Sequence, residues 1–241
     1  MFDTLKQDTQ GIKESGDFLG GGGVFSSGAY DFKIKVAYLG VSSGGANSVN
    51  FEFEEHGTGR KYKETFYVTS GTDKGCKPYY EKDGQKHYLP GYEQVNAICL
   101  MTTNEGLADM EKHIETATLK LYDFDAKAEV PKAVKVITAL TGKDITLGLL
   151  KKIEDKKKKV NGEYVADGTK ETNEVNKVFH FETKKTIAEA RAKGEAEFYG
   201  KWKEQNTDKV IDKSGKGSGT SGRPTPAGGN SAADKPASLF D

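Results

Sequence analysis

Three successive segments alternate apolar and polar residues with period two, which commits this part of the chain to a β-sheet with one buried face. Tyr30, Phe32, Ile34, Val36 and Tyr38 alternate with Asp31, Lys33, Lys35 and Ala37. Val49, Phe51 and Phe53 alternate with Asn50, Glu52 and Glu54. Tyr62, Glu64, Phe66 and Val68 share a face opposite Lys61, Lys63, Thr65 and Tyr67. The joins GVSSGGANS and HGTGR are turn-rich, so the three strands are expected to form a meander.

Beyond the meander, Pro90-Gly91 precedes Tyr92, Val95, Ile98 and Cys99 at helical spacing, predicting a helix over Tyr92 to Thr102. A second short helix is expected near Leu107 to Met110. Strands are expected at Thr118 to Phe124 and Lys132 to Leu140, and Asp144 to Ile153 fits strand or helix, with strand preferred. Lys156 to Gly162 reads as a basic turn into Glu163 to Val165, and Val175 to Phe181 as another short strand. Thr186 and Glu189 form a capping box. The helix they open carries Ile187, Ala190, Gly194, Phe198 and Trp202 on one stripe, with Trp202 as a packing anchor.

The expected organisation is an N-terminal arm over residues 1–27, one domain over 28–206 and a flexible tail over 207–241. Gly20 to Gly23 break the arm, and they lack the Lys-Ser/Thr that a phosphate-cradling loop needs. From Ser214 the composition collapses to Ser, Gly, Thr, Pro and Ala, which cannot bury enough surface to offset the entropy of ordering. The tip, Leu239, Phe240 and Asp241, is an apolar pair and an acid suited to docking a partner.

Formal net charge is zero over 241 residues, so a uniformly basic surface is excluded. Charge is nonetheless uneven. From Pro131 to Val160, nine lysines face Asp144, Glu154 and Asp155, a local charge of +6. Two cysteines, Cys76 and Cys99, make no disulfide framework and read as reduced and intracellular. No stretch suits a membrane span, and the N-terminus does not resemble a secretory signal. No nucleophile elbow, zinc-protease helix, Walker loop or dinucleotide fingerprint is present, and no cofactor is expected. Cys76, His87 and Cys99 match no standard zinc spacing.

The densest chemistry lies between Lys74 and Tyr92, KGCKPYYEKDGQKHYLPGY. Tyr79, Tyr80, Tyr88 and Tyr92, with Tyr67 upstream, are interleaved with Lys74, Lys77, Lys82 and Lys86. Aromatic rings stack bases and lysines track phosphates, a combination suited to an unpaired strand of any sequence. A sheet face carrying Lys33, Lys35, Lys61, Lys63, Tyr67, Lys120 and Tyr122 extends the candidate surface. Lys151 and the run Lys156, Lys157, Lys158 and Lys159 complete it. Five or more strands with a helix between them fit a small barrel or a curved sheet; the expected fold is mainly β, an OB-fold-like five-stranded barrel with added strands, a helix in the barrel insertion and a C-terminal helix.

The opening GGGGVFSSGAYDFKIKVAY, the SSGGANSVNFEF pair, the Lys74–Tyr92 segment and the run TNEVNKVFHFETKKTIAEA resemble the replicative single-stranded DNA-binding proteins of bacteriophages. The likeness covers roughly residues 17–205. It implies an oligonucleotide-binding fold, a role coating and protecting DNA in replication, recombination and repair, and the cytoplasm of an infected bacterium. It also implies docking of phage DNA polymerase, helicase or RNA polymerase by the C-terminal tip. Separately, packing of the 1–27 arm on a neighbouring copy would give self-association along DNA. The tail departs from the family's strongly acidic pattern, because Lys216, Arg223 and Lys235 balance Asp234, Asp241 and the terminal carboxylate. A β-rich phage structural or assembly protein without nucleic-acid binding fits the composition as well. A metal-dependent nuclease using Asp31, Glu52, Glu54 and Glu64 is a third reading.

Overall fold

A computed structural model describes residues 23–123, 125–160 and 163–215. In chain order its elements are β1 (Gly28–Val41), β2 (Asn47–Glu55), β3 (Lys61–Tyr67), β4 (Tyr79–Lys82), β5 (Gln85–Tyr88) and α1 (Pro90–Thr103). Next come β6 (Ile114–Asp123), β7 (Ala128–Ile137), β8 (Asp144–Val160), β9 (Glu163–Phe179), α2 (Ile187–Arg191), α3 (Glu197–Asn206) and β10 (Val210–Asp212). No helix among the described residues is long and apolar enough to cross a membrane.

The expected meander is present, with β1 antiparallel to β2 and β2 to β3. The other edge of β1 serves two neighbours: Gly28 to Lys33 pair with β8, and Tyr38 pairs with Val136 of β7. β6 and β7 form a hairpin, β9 pairs with β8, and β10 adds to β8 in parallel. The result is one eight-stranded, largely antiparallel sheet beside the separate β4–β5 ribbon.

The face of β1 does not alternate evenly. A register shift between Ile34 and Val36 bulges the strand, so Ala37 is buried while Val36 and Tyr38 are only half-buried. A bulge inserts a residue and re-aims those after it. Sequence alternation therefore held to Ile34 and failed at Val36 and Tyr38.

Phe32, Ile34, Phe51, Phe53 and Tyr62 bury the inner face of the meander, and Val95, Ile98 and Cys99 of α1 pack in the same core. Burial pushes the Cys99 thiol up to about 12, so it is a core thiol, not a thiolate. Phe25, from the segment read as an arm, enters this core edge-on to Tyr30, Phe32 and Tyr62, under the Arg60 guanidinium. The rest of the arm, residues 1–22, lies outside the described residues.

The closed barrel expected from the sequence is not formed. Among the described residues no ladder joins β3 to β9. Side chains span this seam instead: Gln94 of α1 donates to the Val175 carbonyl at 2.6 Å, and the Glu64 carboxylate accepts from the Val175 amide. Burial raises the Glu64 carboxyl above its ordinary range, against the hydrogen bonds from Tyr62 and from the Thr65 and Val175 amides. A cleft of about 230 Å³ remains there, lined by Glu64 to Tyr67, Gly91, Gln94, Glu174 and Val175.

Gly91 is required where α1 meets β3. A Cβ at this position would lie 2.3 Å from the Tyr67 carbonyl oxygen, a backbone atom that cannot swing aside. Gly91→Ala is expected to lower stability by about 1–3 kcal/mol, the cost of overpacking, measured as a reduced thermal midpoint. An unchanged midpoint would show that α1 and β3 separate freely.

Two further differences share a cause. Lys156 to Val160 continue β8 rather than turning, and β9 is one 17-residue strand rather than two short pieces. The distal half of this ribbon, from Lys156 to Lys158, is exposed, so no apolar alternation marks it as strand. The Thr186–Glu189 capping box is present, but α2 stops after five residues and the helix restarts at Glu197. Glu189 serves both pieces, accepting from the Thr186 amide and, at 2.7 Å, from the Phe198 amide. β10 falls within residues 207–241, so the sheet extends into the segment read as tail; residues 216–241, with Leu239, Phe240 and Asp241, lie outside the described residues.

Candidate nucleic-acid interface

The Tyr/Lys segment folds as the β4–β5 hairpin. Asp83 and Gly84 both take positive φ, 52° and 75°, between the paired Lys82 and Gln85. That is the two-residue Asp-Gly turn whose twist suits a tight hairpin. The Leu89 amide donates to the Pro78 carbonyl at 2.9 Å, closing the base. The preceding loop is tied to the β1–β2 turn: the Thr72 amide donates to the Gly44 carbonyl and the Cys76 thiol to the Gly45 carbonyl.

Register divides the tyrosines between two faces. Tyr79 pairs with Tyr88 and Glu81 with Lys86, while Tyr80 pairs with His87 and Lys82 with Gln85. Residues opposite one another share a face, and faces alternate along a strand. One face therefore carries Tyr79, Tyr88, Glu81 and Lys86, and Tyr92 of α1 stacks on Tyr88 at 4.6 Å between ring centroids. The Lys86 and Lys77 ammonium groups lie 4.8 and 5.8 Å from the Tyr79 ring centroid. The other face carries Tyr80, stacked on His87 at 5.5 Å. Tyr67, Tyr80 and Tyr88 are about half exposed. Because Gly91 abuts the Tyr67 backbone, the end of β3 and the hairpin base meet at one corner. Lys77 and Tyr92 thus join the candidate set; their place within the same Tyr/Lys run was the signal.

The meander's outer face holds Lys33, Lys35, Lys61 and Lys63, as expected, but most are paired. Lys33 bonds Asp144 at 2.8 Å, Lys35 reaches Glu54 at 3.4 Å and Lys63 bonds Glu52 at 2.5 Å. His56 shares Asp144 at 2.9 Å, and although burial works the other way, the hydrogen bonds from Lys33 and His56 hold the Asp144 carboxyl below its usual range. Asp31 accepts from Lys184 at 2.6 Å and from Thr146 at 2.5 Å. The carboxylates weighed as nuclease ligands, Asp31, Glu52, Glu54 and Glu64, are therefore each engaged within the sheet. Among the described residues no group of three or more His, Cys, Asp or Glu side chains is placed to hold a metal ion.

The ribbon lysines are answered across β9. Lys151 bonds Glu171 at 2.8 Å, Lys152 pairs with Glu174, and Lys156 and Lys158 both reach Asp167. These two lysines hold the Asp167 carboxyl below its ordinary range. Asp167, Glu171 and Glu174, which the sequence places downstream, thus halve the +6 of this segment. The side chain of Lys159 lies outside the described residues. Lys120 and Tyr122 occupy exposed positions on β6, one strand removed from β1.

Among the described residues, Lys61, Lys74, Lys77, Lys82, Lys86, Lys120 and Lys157 have no carboxylate within ion-pair distance. The β4–β5 hairpin and its approach hold Lys74, Lys77, Lys82 and Lys86, the densest group of them. No protein-family model matches the chain, and no curated protein is significantly similar to it.

Proposed function

We infer that the protein binds single-stranded DNA without sequence preference and acts as a coating protein rather than an enzyme. The observation that carries this reading is the hairpin face on which Tyr79, Tyr88 and Tyr92 lie together with Lys77 and Lys86. Stacking on such rings contributes about 1–3 kcal/mol per base and accepts every base, while lysines beside them contact phosphates. The meander followed by α1, with later strands returning to β1, supports kinship with an oligonucleotide-binding fold left open at the β3–β9 seam. Coating of phage DNA in an infected bacterium, and docking of replication enzymes by Leu239, Phe240 and Asp241, rest on the family resemblance and belong to this proposal.

The test is fluorescence anisotropy with labelled oligo-dT beside a duplex of equal length, over a salt series. Single-strand binding is expected to exceed duplex binding. Each phosphate contact contributes a slope of about −0.7 in log affinity against log salt for single strands. The seven candidate lysines without carboxylate partners give a slope near −5, whereas all fourteen candidate lysines, Lys77 included, would give about −10. No binding at low salt, or equal binding to duplex, would overturn the reading.

A further inference from the structure

The bulge in β1 creates a feature that period-two alternation hides. It turns Tyr38 from the core face onto the outer face, where the ring is half-buried rather than enclosed. Register places Tyr38 opposite Asn50, and Asn50 opposite Thr65. The next row holds Gly40, Ser48 and Tyr67. These six residues form a patch with no formal charge. The row on its other side, Val36, Glu52 and Lys63, begins the region of ion pairs. The outer face is thus split into a charged half and a neutral half with a tyrosine at each end.

The neutral half is internally braced, with Ser48 buried within it. Thr65 donates to the Asn50 amide oxygen at 2.8 Å, fixing the side chain between the two rings. Gly40 leaves no side chain beside Tyr38; a Cβ there would lie 2.6 Å from the Asn50 amide nitrogen and 2.9 Å from the Ser48 hydroxyl. Strand spacings of about 4.8 Å across and about 3.4 Å along place the Tyr38 and Tyr67 Cα atoms roughly 12 Å apart. Tyr67 in turn abuts Gly91 at the hairpin corner. Tyr38, the Asn50–Thr65 pair and Tyr67 thus lead across the outer face toward the corner where the hairpin base meets β3.

We propose that Tyr38 and Tyr67, with the Asn50–Thr65 pair between them, form a second base-stacking platform, over which an unpaired DNA strand crosses the sheet to the hairpin. This rests on the single-stranded DNA reading and deepens it. The neutral patch takes bases, while the paired lysines beside it stay in their ion pairs. Such a division explains why a face with four lysines also keeps Glu52 and Glu54.

Two variants test the platform in the full-length chain with oligo-dT. Tyr38→Ala is expected to weaken binding about 5- to 100-fold, and Tyr38→Phe to stay within about twofold, since a ring without its hydroxyl still stacks. The Tyr38→Trp variant adds a fluorophore to a chain whose one native tryptophan, Trp202, is buried. Its added emission is expected to be quenched on saturation with oligo-dT, a signal that a merely structural role would not give. If the parent chain binds oligo-dT, but Tyr38→Ala binds equally and the Tyr38→Trp emission is unchanged, the platform is overturned and the wider reading stands. If the parent chain itself fails to bind, both fall.

Discussion

Replacing Tyr79 and Tyr88 together by alanine is expected to weaken oligo-dT binding by about 100-fold, the loss of two stacking contacts at about 1–3 kcal/mol each. The matched change on the opposite face, Tyr80 and His87 to alanine, is expected to alter binding only a few-fold. Tyr79 and Tyr88 are cross-strand partners with Tyr92 stacked behind them and two ammonium groups near the Tyr79 ring. Tyr80 and His87 face the other way and are stacked on each other. Parallel salt titrations separate ring loss from charge loss: the Tyr79/Tyr88 variant is expected to keep the parental slope, because it removes no cation. A larger loss in the Tyr80/His87 variant would place the strand on the opposite hairpin face.

Adjacent tyrosines show where sequence reasoning about the site stops. Tyr79 and Tyr80 read as one platform in the chain, yet neighbours on a strand point to opposite faces, so one strand of DNA cannot stack on both from the same side. Asp83-Gly84 was a hairpin signal left unread in the sequence; which face counts depends on Lys77, Lys86 and Tyr92 folding back over it. The lysines follow the same logic. Lys33, Lys63 and Lys151 were visible as cations, but their partners Asp144, Glu52 and Glu171 are joined to them only by cross-strand register. Local charge counted along the chain therefore overstated the positive field at β8, where β9 brings Asp167, Glu171 and Glu174 alongside. The meander was legible because burial on one face writes itself as alternation. The β1 bulge and the exposed ribbon half were not, since one breaks the period and the other has no buried face to create it.

The largest expected effect on stability lies at Trp202. It is nearly fully buried against Leu150 and Phe179, meeting the Phe179 ring edge-on at 5.9 Å. Its indole nitrogen donates to the Asn176 side-chain oxygen at 2.8 Å. Trp202→Ala removes this packing and leaves a cavity, which is expected to cost about 3–5 kcal/mol, read as a lower urea midpoint with an unchanged slope. Beneath the ring sits Gly148 of β8, where a Cβ would lie 2.7 Å from the indole. Gly148→Ala alone is expected to cost about 1–3 kcal/mol by overpacking. Combined, the two changes are expected to cost less than their sum, because the methyl enters space the indole has vacated. Such coupling is the signature of side chains in direct contact. Strict additivity would mean that α3 does not rest on β8 through Trp202, and that the C-terminal helix is held to the sheet elsewhere.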